Sequence, residues 1–77
     1  MINVLFFAHL QEIVGNERLQ LDIAPITVSR LKQYLQTEFN FGQIEQVMFA
    51  VNEEYATDDD VINPGDTVAL IPPVSGG

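Results

Sequence analysis

The feature that most constrains the fold is the position of the apolar residues. The two most apolar stretches, Ile2–Phe7 and Val68–Val74, stand near opposite ends of a 77-residue chain. A strand that is apolar on both faces belongs in the interior of a sheet, with both faces covered. A chain of this length forms one domain and buries only ~60% of the surface that its unfolded form exposes, so there is one thin core to share. The first and last strands are therefore predicted to lie side by side in mid-sheet.

The segments between them complete the layout. His9–Val14 carries Leu10, Ile13 and Val14 at one-turn helical spacing and closes at Gly15-Asn16. Arg18–Ile23 alternates, with Leu19, Leu21 and Ile23 on one side, and forms a hairpin with the first strand. Pro25 ends that strand. Thr27 is placed as an N-cap without a complete capping box. Val28, Leu31, Leu35 and Phe39 then define an amphipathic helix over 28–39, with Gly42 as its left-handed C-cap. Val47–Val51 reads as a short strand, Asn52-Glu53-Glu54 as a turn, Tyr55 as the centre of a brief strand and Asp58-Asp59-Asp60 as loop. Asn63-Pro64-Gly65-Asp66 is a turn before the last strand, Thr67–Ile71.

A helical crossover makes the first and last strands parallel, with a right-handed connection. The prediction is an α+β, β-grasp (ubiquitin-like) layout: one mixed sheet over residues 1–71 with one main helix on one face, then an extended tail over 72–77. Alternation assigns the faces. Ile2, Val4, Phe6, Val68 and Leu70 point to the helix; Leu5, Phe7, Ala69 and Ile71 form an apolar patch on the other side, beside polar Asn3 and Thr67.

Charge and composition then remove function classes. Eleven acidic residues face Arg18, Arg30 and Lys32, for a net charge of −8. Nucleic acid is excluded as an expected partner, because phosphate binding needs a basic footprint. The acidity serves solubility, or steers the chain to a basic partner surface. With no cysteine there is no disulfide framework, thiol nucleophile or Cys-based zinc site. No apolar run approaches the ~20 residues of a membrane span, and no basic leader follows Met1, so a cytoplasmic location is expected and no membrane partner.

The interior of the sequence offers little chemistry. His9 is the single histidine, with no Asp or Ser at pairing distance in sequence. The three consecutive aspartates point in different directions, and no Glu follows at calcium-loop spacing. No metal or permanently bound cofactor is expected. The chain ends differently: Ile71-Pro72-Pro73-Val74-Ser75-Gly76-Gly77. The prolines leave the sheet and favour extended backbone, Val74 is a candidate anchor, and Gly-Gly presents a carboxylate with no side chain beside it, able to thread a narrow channel. The plainer reading is a frayed terminus.

Val4-Leu5-Phe6-Phe7-Ala8, then Glu12-Ile13-Val14-Gly15, the Thr27-Val28 helix start, Ala50-Val51-Asn52, Gly65-Asp66-Thr67-Val68-Ala69 and above all the Pro72-Pro73-Val74-Ser75-Gly76-Gly77 ending resemble the molybdopterin synthase small subunit, a family of ubiquitin-like sulfur carriers. The resemblance covers essentially the whole chain. Members often carry Arg where this chain has Gln11, and Gly where it has Glu53. The resemblance implies a protein that is not catalytic alone. An ATP-dependent activating enzyme would place transient AMP on Gly77, a separate sulfur donor would convert the acyl-adenylate to a thiocarboxylate, and Gly76-Gly77 would enter the large synthase subunit. There the sulfur would pass to cyclic pyranopterin monophosphate in molybdenum cofactor biosynthesis. It implies an assembly of two small and two large subunits, with Phe7, Tyr55, Ile71, Pro72, Pro73, Val74 and Ser75 at the contact. Two alternatives stand beside it: a carrier for thiazole synthesis or tRNA thiolation, and a non-catalytic ubiquitin-like binding module.

Overall fold

The computed structural model describes residues 1–73. In chain order the elements are β1 (Ile2–Phe6), α1 (His9–Val14), β2 (Arg18–Leu21), β3 (Ile26–Thr27), α2 (Val28–Phe39), a 3-10 turn (Ile44–Gln46), β4 (Met48–Val51), β5 (Glu54–Tyr55), β6 (Val61–Ile62) and β7 (Thr67–Ile71). The main sheet runs β2-β1-β7-β4-β5. β1 and β7 are parallel and β7 is the middle strand; the β1–β2, β4–β7 and β4–β5 pairs are antiparallel. The two most apolar strands are thus adjacent and internal, as burial on both faces requires.

One core joins the sheet to α2. Ile2, Val4 and Phe6 of β1, Val68 and Leu70 of β7, and Val28, Leu31 and Leu35 of α2 are all fully buried. Leu10 of α1 and Ile62 of β6 close its ends. Among the described residues no polar side chain is buried, so packing of aliphatic groups, rather than a polar network, sets the register.

α2 begins where its sequence says it should: Thr27 Oγ1 accepts the Arg30 N–H at 3.2 Å. Its end departs from expectation. The left-handed cap is Asn40, at φ 54° and ψ 71°, not Gly42, although Gly42 also has positive φ two residues later. Asparagine tolerates this conformation, and its Oδ1 accepts a hydrogen bond from Gln36 Nε2 at 3.2 Å, a bond that glycine could not make. The Gln36 backbone carbonyl accepts the Asn40 N–H at 3.0 Å, and its side-chain oxygen accepts the Phe41 N–H at 3.1 Å.

A second departure is a separate two-stranded sheet, β3–β6, that pairs Ile26 with Ile62 and Thr27 with Val61. The expected single sheet missed it, since two-residue strands carry no periodicity. Here the aspartate loop has a structural task. The carbonyls of Asp58 and Asp60 accept the Ser29 and Val28 N–H groups, each at 3.0 Å, and so satisfy donors in the first turn of α2. Lys32 of α2 ion-pairs with Asp58, lies 3.9 Å from a Glu45 carboxylate oxygen, and stands 5.5 Å from the centre of the Phe49 ring. One of the three basic residues is thereby committed to holding the helix, the loop and the 3-10 turn together.

Candidate functional site

Directly opposed residues in a sheet share a face. On the face away from α2, Leu5, Ala69, Ala50 and Tyr55 form one row across β1, β7, β4 and β5. Arg18 of β2 lies opposite Leu5 and extends the row to the other sheet edge. The next row, toward the end of β7, pairs Ile71 with Met48, and Phe7 lies one residue beyond β1. In the opposite direction the face turns polar: Gln20 Nε2 donates to Asn3 Oδ1, and Thr67 N–H to Asn52 Oδ1, both at 3.0 Å. The apolar half of the face therefore surrounds the point where the chain leaves the sheet at Pro72.

That half is concave. Phe7, Ala69, Ile71, Pro72, Tyr55 and Glu53 line an open hollow of ≈ 620 Å³. Small Ala50 and Ala69 form the floor and larger residues the rim. Tyr55 is 72% exposed, Phe7 44% and Met48 43%, which is a costly display of large apolar groups for a lone small domain.

Local backbone places the rim. Phe7 leaves β1 just before Ala8, which has φ 53° and ψ −134°, a region that disfavours any residue with a Cβ. The bend is tied by Leu10 N–H to the Phe7 carbonyl and Gln11 N–H to the Ala8 carbonyl, both at 3.1 Å, and by Gln11 Nε2 to the Phe6 carbonyl at 2.9 Å. Gln11, where an arginine is common in the resembled family, thus has a structural role as a neutral clamp. Across the sheet, Asn52 and Glu53 form the two-residue β4–β5 turn with φ 52° and 71°. Positive φ at both positions matches the twist of a tight hairpin, so the turn keeps its geometry with Glu53 in place of glycine. Behind it, Asp66 accepts the Asn63 N–H at 2.9 Å and the Asn52 amide at 3.0 Å. These bonds, the Asn63 one first, hold its carboxyl below its ordinary value.

Of the residues expected at a partner contact, Phe7, Tyr55, Ile71 and Pro72 line the same hollow. Pro73 is exposed just beyond it. Val74, Ser75, Gly76 and Gly77 lie outside the described residues. His9 is exposed at the start of α1. Sequence reasoning missed Met48, Ala50, Arg18 and Glu53 as members of this face. The period-two alternation that placed Leu5 and Ile71 would have placed Met48 and Ala50 as well, had it been carried through 47–51.

The sheet order, the one main helix packed on it and the open sheet face define a small ubiquitin-like β-grasp protein. More narrowly, the chain belongs to the ThiS family, whose model matches residues 4–77. It is 33% identical, over 81 aligned positions, to the molybdopterin synthase sulfur carrier subunit of Escherichia coli K12, with all of both chains covered. Among solved structures, SAMP1 from Haloferax volcanii superposes with a TM-score of 0.83 at 25% identity, covering 99% of this chain and 98% of that one. A complex of subunits 1 and 2 of molybdopterin-converting factor from Helicobacter pylori 26695 contains a chain that superposes at 0.70, with 23% identity and coverage of 99% and 97%.

Proposed function

We propose that this chain is the sulfur carrier subunit of a molybdopterin synthase and that the carboxylate of Gly77 carries the sulfur. The observation that carries this reading is the end-to-end correspondence with the Escherichia coli subunit of that name, with no part of either chain left over. The large apolar sheet face beside the exit of the last strand supports it, because a carrier must dock where its tail can reach.

The chemistry is the one that the family resemblance implies, and the composition agrees with it. With no cysteine, the chain cannot hold sulfur on a thiol. A carboxylate is a poor acyl donor, so an adenylating enzyme joins Gly77 to AMP and releases pyrophosphate. Sulfur from a separate donor then displaces AMP and leaves a thiocarboxylate. In the large subunit the thiocarboxylate sulfur bonds to a carbon of cyclic pyranopterin monophosphate as an oxygen substituent leaves that carbon. Water then cleaves the acyl–sulfur bond of the resulting thioester, which leaves the sulfur on the pterin and restores the Gly77 carboxylate. A dithiolene needs two sulfurs and hence two carrier turnovers. Domain 1–71 supplies docking, and the 72–77 tail supplies reach: tethering makes sulfur delivery effectively intramolecular. Catalytic groups belong to the large subunit, in an assembly of two small and two large chains.

The test is intact mass. Chain isolated with its activating enzyme should contain a species heavier by one oxygen-to-sulfur exchange at Gly77. Mixing it with the large subunit and cyclic pyranopterin monophosphate should return the mass to that of the carboxylate. A thiocarboxylated chain that keeps its sulfur there, but yields it to a tRNA-thiolating enzyme, would replace this reading with the related-carrier one.

A further inference from the structure

The strand order makes the docking face pseudo-symmetric about its own middle strand. With the order β2-β1-β7-β4-β5, β7 is central, and a two-fold axis in the plane of the face, inclined by about 15° to β7, exchanges β2 with β5 and β1 with β4. Laid face to face about that axis, two copies bring Arg18 of one to Tyr55 of the other, since both lie in the row Arg18–Leu5–Ala69–Ala50–Tyr55 at opposite edges. The same operation sets Leu5 over Ala50, so that a large side chain enters the shallow floor of the facing hollow. In the next row Phe7 meets Met48, a favourable thioether–aromatic contact, and Ile71 meets its own copy on the axis. The charges match too: Arg18, which borders the face on one side, faces the edge where Glu53 lines the hollow on the other. Each pairing occurs twice, as an isologous interface requires.

We propose that the free protein forms a two-fold dimer through this face, with β7 crossing β7 and Arg18 seated on the Tyr55 ring of the second copy beside its Glu53. Aligned packing of two sheets at about −30° accommodates their twist. The dimer covers the exposed apolar groups when no other partner does. It excludes any partner that docks on the same face, so the carrier is monomeric when it delivers. Two molecules of charge −8 repel one another, so the dimer is weak at low ionic strength and tightens as salt screens that repulsion.

The absence of native cysteine makes the test clean. Ile71→Cys lies on the axis and should oxidise to a covalent dimer much faster than Glu38→Cys, a control on exposed α2 surface. Sedimentation velocity of the unmodified chain should show a monomer–dimer equilibrium between micromolar and millimolar concentration, shifted toward dimer by added salt. Arg18→Glu should weaken it about tenfold, from two lost cation–π contacts and two new repulsions; adding Tyr55→Lys should restore it. Equal oxidation rates of the two cysteine variants, or a monomer at every concentration, would overturn the dimer. Dimerisation indifferent to Arg18→Glu would overturn this register. Circular dichroism of each variant confirms that it is folded.

Discussion

At the scale of single residues, the site is built at some cost in backbone strain. Ala8 bends the chain so that Phe7 reaches the outer face, with φ and ψ that only glycine adopts freely. Ala8→Gly should therefore raise stability by about 1 kcal/mol, read as an increase in urea midpoint, while loosening the seat of Phe7. Glu53 holds a similar position in the β4–β5 turn at φ 71°. Glu53→Gly should likewise stabilise by about 1 kcal/mol, because Asn-Gly is the favoured pair for a two-residue hairpin. If denaturant melts show no gain for either variant, the strain assigned to these positions is absent. Asp66 provides a pH-dependent contribution. The fold favours its ionised form through Asn63 and Asn52, and its carboxyl lies below the ordinary value of 3.8. Its contribution is thus complete above about pH 3.8 and is lost as pH falls further, through the depressed folded value. Asp66→Asn should melt below the unmodified chain at neutral pH, and the difference should shrink under acid. A difference that stays constant down to the most acid melt would contradict the linkage.

At the scale of elements, the two faces of the central strands carry different duties, and mutation separates them. Leu70 is fully buried, between Phe6 on β1 and Phe49 on β4. Leu70→Ala should cost ~2–5 kcal/mol of stability through the cavity it leaves. Phe7 is partly exposed on the other face, so Phe7→Ala should melt almost normally but weaken binding of the large synthase subunit by ~1–3 kcal/mol if Phe7 anchors that contact. Thermal melts beside calorimetric titration give both numbers; a Phe7→Ala protein that melts as badly as Leu70→Ala and binds normally would invert the face assignment. This division was legible in the sequence, because alternation in β1 and β7 fixes which side chains share a side and apolar runs fix which strands are central. Other parts were not. β3 and β6 are two residues each, too short for any period to register. The cap at Asn40 depends on Gln36 folding back onto it, and the aspartate loop binds the start of α2 through carbonyls, which every residue possesses. Arg18 was visible as an outward residue of β2, but only the pairing with Leu5 brings it beside the docking face.

At the scale of the whole molecule, the described core and the group proposed to react lie apart in the sequence. Every fully buried side chain among the described residues lies between Ile2 and Leu70, ahead of the Pro72-Pro73 exit. Deleting Gly77 should leave the melting temperature unchanged and docking intact, yet abolish adenylation and sulfur delivery. Gly76→Val should act similarly under the proposed function, since a branched Cβ restricts the backbone and widens a tail proposed to enter the large subunit. Association has its own signature. The chain carries −8 overall, with Lys32 already bound to Asp58 and Glu45. Its long-range field therefore attracts a basic surface, and stopped-flow association with the large subunit should slow as salt rises, with much less change in the dissociation rate. Self-association responds in the opposite sense, since like charges repel and screening helps it. The same change of ionic strength thus separates the two uses of one face: salt should slow docking to a basic partner and strengthen the dimer. If salt left the association rate unchanged, steering by the acidic surface would be wrong. A sulfur-delivering protein that lacks Gly77 would remove the carrier function altogether.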